Sequence, residues 1–86
     1  MNEASPAMVA QVAEIVRLVG KLAPETKVSS ESRLSEDFGI DSLDQVSILM
    51  KIEDSFGLEI NDDDVSGLQT VGELADHVAR TKAAAA

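Results

Sequence analysis

Between Asp41 and Gly57 the chain places seven large apolar residues: Leu43, Val46, Ile48, Leu49, Met50, Ile52 and Phe56. They do not alternate, as a half-buried strand would require; they recur at steps of three and four, as an amphipathic helix does. Asp41 supplies a helix start and Gly57 a helix stop, so the segment is bounded by its own signals. Wound at about 100° per residue, the apolar positions split into two stripes. Ile48, Leu49, Ile52 and Phe56 form one. Leu43, Val46 and Met50 form the other, centred roughly 140° away. Asp44, Ser47, Lys51 and Asp54 hold the remaining polar face. Two explanations stand open. The helix could be central and buried on both sides, as helices apolar all round are. Or Leu43, Val46 and Met50 could form a partly exposed ridge that, with Glu53 and the nearby acids, docks a partner.

The rest of the chain supplies helical packing partners. Ser5-Pro6 reads as an N-cap and a first helical residue. Beyond it Met8, Val12, Ile15, Val19 and Leu22 share a stripe, with Gln11, Glu14, Arg17 and Lys21 opposite. That helix is expected to end near Ala23-Pro24. Residues 24–41 read as a long polar loop anchored by Val28, Leu34, Phe38 and Ile40. A short acidic element covers Asn61 to Leu68. Thr70-Val71-Gly72-Glu73 is a capping box that opens a last helix, with Val71, Leu74, Ala75 and Val78 on one face and Gly72 weakening its start slightly. The expected fold is all-α: a four-helix bundle with three main helices and one short one. One domain is expected over 1–82, followed by an alanine-rich tail, 83–86, that should fray.

Composition narrows the function. With 86 residues there is room for one modest core, and no cysteine is present to staple it. Thiolate metal sites are excluded, and the single histidine, His77, excludes multi-histidine sites. The net charge is −9, from 16 acidic and 7 basic residues. Direct nucleic-acid binding and anionic membrane surfaces are therefore not expected, and partners with basic patches are. No segment reads as a signal peptide or a membrane span, so the cytoplasm is the expected compartment. The regular spacing of the apolar residues argues against disorder.

Ser42 stands at the junction of the two stripes. Asp41 is the better cap, which leaves the Ser42 hydroxyl uncommitted. It could be a neutral surface serine. A nucleophile would need an oriented base; His77 is in no recognisable motif, and no G-x-S-x-G elbow is present. A covalently attached phosphodiester would sit beside the free amides of a helix start, although the acidic neighbours would not hold free phosphate.

Asp41-Ser42-Leu43-Asp44, preceded by Phe38-Gly39-Ile40, resembles the D-S-L motif of acyl carrier proteins. The resemblance extends through Leu34-Ser35-Glu36-Asp37, the run Val46 to Phe56, Leu58-Glu59-Ile60 and the capped last helix. It implies a carrier and not an enzyme. Ser42, flanked by Asp41 and Leu43, would bear 4'-phosphopantetheine delivered by a phosphopantetheinyl transferase, and the arm's thiol would hold acyl groups as thioesters. The sulfur missing from the sequence would thus come from a cofactor. Asp44, Val46, Met50 and Glu53, with Leu43, would face partner enzymes, namely acyl-transferring or condensing enzymes with basic patches. Ile48, Ile52 and Phe56 would face a cavity able to shelter an acyl chain. The carrier is expected to be a monomer and not to insert in membranes. The chain departs from the common fatty-acid-synthesis pattern at Ser47, usually glutamate, at Lys51, and at Asp62, often proline. A specialised carrier is therefore as well supported as a housekeeping one.

A second motif overlaps the acidic element. Asp62, Asp64, Ser66 and Thr70 stand at positions 1, 3, 5 and 9 of an EF-hand loop, with Gly67 at 6 and Glu73 at 12. Against it stand Gly57, which interrupts the incoming helix, and Gln69, where an apolar residue is expected. A calcium-binding interaction module using Asp62, Asp64, Ser66 and Glu73 is the alternative function.

Overall fold

The computed structural model describes residues 4–65 and 67–85. Helix α1 (Pro6–Val19) opens where Ser5-Pro6 predicts: the Ser5 hydroxyl accepts from the Met8 amide at 3.2 Å. It closes at Val19, short of the expected Ala23-Pro24. Lys21 takes a left-handed conformation (φ 55°), and the Leu22 and Lys21 amides donate back to the carbonyls of Arg17 (3.0 Å) and Leu18 (3.3 Å). This is a Schellman-type ending, with lysine where glycine is usual. Periodicity did not reveal it because Leu22, although outside the helix, still packs against the core.

The loop that follows is tied down at both ends. At its start the Arg17 guanidinium donates to the carbonyls of Ala23 (3.4 Å), Pro24 (3.3 Å) and Thr26, and pairs with Glu14 at 3.4 Å. Further on, the loop contains a single helical turn, α2 (Leu34–Phe38), where the sequence pattern predicts only a long loop. Gly39 (φ 66°) ends it: its amide donates to Ser35 and the Ile40 amide to Leu34. Leu34 and Ile40 are buried, and Val28 and Phe38 pack against the core from the edge.

Three long helices carry the domain: α1, α3 (Ser42–Phe56) and α5 (Val71–Ala85), with α1 packed on both others. The short α4 (Asp62–Val65) lies within the acidic element. The all-α expectation holds, with α2 as one further turn inside the loop. The core unites Val12 and Val16 of α1, Ile48, Leu49 and Ile52 of α3, and Val71, Leu74, Ala75 and Val78 of α5. No polar or charged side chain is buried among the described residues.

The start of α5 is capped as the sequence predicts. Thr70 Oγ1 accepts from the Glu73 amide at 3.1 Å, and Glu73 Oε1 accepts from the Thr70 and Gln69 amides at 3.0 Å each. The tail alanines continue this helix as far as Ala85, consistent with alanine's high helix propensity.

The long loop is laced to the same helix start. Leu34 donates to the Gln69 carbonyl (2.9 Å), Val71 to Ser32 (3.0 Å) and Gly72 to Ser30 (2.7 Å). A Cβ on Gly72 would lie 2.8 Å from the Ser30 carbonyl oxygen, so this glycine admits the loop's backbone. Helix propensity alone would make Gly72→Ala stabilising by about 1 kcal/mol. We expect the opposite sign, a loss of about 1–2 kcal/mol from overpacking against backbone. Urea unfolding decides it, and a midpoint raised by the substitution would refute the close-approach explanation.

Candidate functional site at the start of α3

Gly39 and Ile40 set the approach to α3. Ile40 is buried, and the next residue, Asp41, is an extended N-cap whose Oδ1 accepts from the Asp44 amide at 2.9 Å. The Asp41 carbonyl accepts from Gln45, which starts the helix proper. Ser42 is therefore the first helical residue, and it is exposed. Among the described residues its hydroxyl makes no hydrogen bond, to His77 or to anything else, so no catalytic pair is formed. His77 sits half-buried on α5, where its carbonyl accepts from the Thr81 hydroxyl at 2.9 Å.

As the first two helical residues, Ser42 and Leu43 have amides without an intrahelical acceptor, while Asp41 takes the Asp44 amide. An exposed, uncommitted hydroxyl beside two amides of the helix start fits a phosphodiester chemically. Asp41 and Asp44 oppose free anions at the same place, so covalent attachment suits the site better than reversible binding.

The two stripes of α3 are split between core and solvent. Ile48, Leu49 and Ile52 are at most 6% exposed, whereas Leu43 is 78%, Val46 47% and Met50 61% exposed. This resolves the question left by periodicity in favour of an exposed ridge. Phe56 packs against the core only in part, and Lys82 lies 5.9 Å from its ring centre. Of the residues expected to face an acyl cavity, only Ile48 lines the small apolar cavity beside Leu34, Gln45, Leu49, Leu68 and Leu74, about 20 Å³ in volume. That is space for roughly one water. Ile52 is buried in the core, and Phe56 borders the groove toward α1.

The charged neighbours are partly committed. Glu53 is half-buried, and its Oε2 accepts from the Ile60 amide at 2.9 Å, which ties the end of α3 to the segment after it. Asp44 is half-buried beside Ser42. At the N-cap of α2, the hydrogen bond and charge of Glu36 hold the Arg33 guanidinium above its ordinary pKa.

The calcium-module alternative receives no support. Asp62–Val65 is helical where an EF-hand needs an open loop, and residues 57–61 are not a helix. Glu73, the bidentate ligand in that register, is occupied by its capping bonds. Among the described residues no cluster of three or more acidic or histidine side chains is placed to hold a metal. Ser66 and the Asp62 side chain lie outside what is described.

Residues 10–78 match the family of phosphopantetheine attachment sites. Acyl carrier protein 2, chloroplastic, from Spinacia oleracea is 40% identical over 75 residues, which is 87% of this chain and 57% of that protein. The chain thus spans little more than half the length of that relative. The solution structure of a chain from Anaplasma phagocytophilum assigned as an acyl carrier protein matches with a TM-score of 0.78 at 39% identity, over 90% of each chain. This chain belongs to the acyl carrier protein family, whose domain is an attachment site for phosphopantetheine and whose members carry groups without catalysing reactions.

The split of α3 has a direct consequence for stability. Leu43→Ala and Met50→Ala should each cost less than about 0.5 kcal/mol, as exposed substitutions do, while Ile48→Ala should cost about 2–5 kcal/mol. Chemical denaturation of the three variants checks this. A Leu43→Ala loss comparable to that of Ile48→Ala would place Leu43 in the core.

Proposed function

We propose that Ser42 is the residue on which this carrier bears 4'-phosphopantetheine, and that Leu43, Asp44, Val46, Met50 and Glu53 form the face its partner enzymes recognise. The observation that carries this is the exposed, unbonded Ser42 hydroxyl on the first residue of α3, beside an apolar ridge left in solvent. When bound, the group supplies a terminal thiol, on which acyl cargo rides as a thioester. The chain's own residues fix where that arm starts. Asp41 caps α3 and so holds Ser42 at the helix tip, and Ile40 anchors the preceding turn in the core.

Partners would be a phosphopantetheinyl transferase and acyl-transferring or condensing enzymes with basic docking surfaces, drawn by the net charge of −9. A shuttle needs contacts that release quickly, which favours a small apolar ridge with a salt-sensitive rim over a large interface. We take the carrier to be a monomer of the cytoplasm, serving fatty-acid, lipid or polyketide-type biosynthesis. No described helix is long and apolar enough to cross a membrane.

Intact mass after incubation with coenzyme A, Mg2+ and a promiscuous transferase tests the assignment. We expect a gain of one phosphopantetheine unit on the wild type and none on Ser42→Ala. Modification of the Ser42→Ala variant, or none on a folded wild type with several transferases, would sink it.

A further inference from the structure

The chain has seven basic residues, and most are engaged within the fold. Arg17 is held by loop carbonyls and Glu14, Arg33 by Glu36, and Lys82 lies over Phe56, while Arg80 has a partner of its own. The ammonium groups of Lys21, Lys27 and Lys51 make no ion pair or hydrogen bond among the described residues. Lys21 and Lys27 belong to the connection after α1, and Lys51 stands on α3. There it is exposed and shares a shallow surface groove with Ser47, Met50 and Asp54, at the rim of the apolar ridge.

Local structure gives Lys51 nothing to do. Asp54 follows three residues on, yet the two form no ion pair, and a lysine placed before its acid is the weaker order on a helix. Nor does Lys51 serve the helix dipole: it lies mid-helix, and the last turn of α3 has no basic residue. Around it the surface is apolar and acidic, with Leu43, Val46 and Met50 exposed and Asp44 and Asp54 nearby on the same helix. A partner whose surface was basic throughout would complement those acids but set like charge against this ammonium.

We propose that Lys51 is a specificity-determining residue of the docking face. It favours a partner protein that sets a carboxylate against it within an otherwise basic surface, and it disfavours one that is basic throughout. The inference rests on the docking role assigned to α3 above. As a rim charge, Lys51 acts on encounter and affinity and not on any step at Ser42.

The test is transfer of phosphopantetheine from coenzyme A by a transferase whose surface facing residue 51 is basic, with initial rates measured against carrier concentration. Lys51→Glu and Lys27→Glu change net charge equally, and both positions are exposed. Lys51→Glu should lower KM about 3- to 10-fold with kcat unchanged, and about 0.5 M salt should erase the gain. Lys27→Glu should move KM by less than about twofold, as a charge off the face would. Replacing the transferase's basic residue nearest position 51 with glutamate should invert the order, so that the wild-type carrier has the lower KM. Equal shifts for both lysine variants, or no inversion, overturn the role of Lys51 and leave Ser42's assignment standing. Absence of transfer to the folded wild type overturns both together.

Discussion

Ile48, Leu49 and Ile52 bury in the core shared with α1 and α5, and this burial fixes the rotation of α3 about its own axis. With no cysteine to staple the fold and no aromatic residue wholly inside, the domain rests on aliphatic packing, in which each large side chain is worth about 1.5–3 kcal/mol. Once that stripe is committed, Leu43, Val46 and Met50 have nowhere to go but solvent. Exposure of the ridge is thus a geometric result of core packing: the second stripe lies too far round the helix to join the first.

The position of Ser42 depends on how the long loop is held. Arg17 ties its first turn to α1, backbone bonds from residues 30–34 lace its middle to the start of α5, and Ile40 pins its end. The last element before α3 is a single turn closed by Gly39. Each of these contacts spends backbone groups that a mobile loop would leave to water, so Ser42 is presented from a fixed base. The site itself is a helix tip with an uncommitted hydroxyl, consistent with a family that carries groups without transforming them. In the proposed docking role the field of the acidic surface would draw basic partners, and the Lys51 ammonium at the rim would distinguish among them.

The calcium-module alternative shows how a spacing can mislead. The carboxylates and glycine of residues 62–73 fit a loop register on paper. In the fold, Glu73 satisfies the amides of Gln69 and Thr70, and residues 62–65 wind into a helix. A capping box and a terminal calcium ligand call for the same residue type, and one-dimensional spacing does not separate them.

Local signals in the sequence determined the helices and their faces. Ser5-Pro6, Asp41, Gly57 and the Thr70–Glu73 box act within one turn of themselves, so they are legible without knowing the fold. The D-S-L stretch at Ser42 was legible for the same reason, as a motif at a helix start. Tertiary structure decided what depends on distant groups. It closed α1 at Val19 while Leu22 kept facing inward, and it turned Arg17 from a polar-face residue into a loop clamp. It gave Gly72 a purpose in the approach of Ser30, took up one oxygen of Glu53 at Ile60, and chose which stripe of α3 met water. Periodicity ranks the faces of a helix by apolarity, but the space available beside each face is set by the other helices.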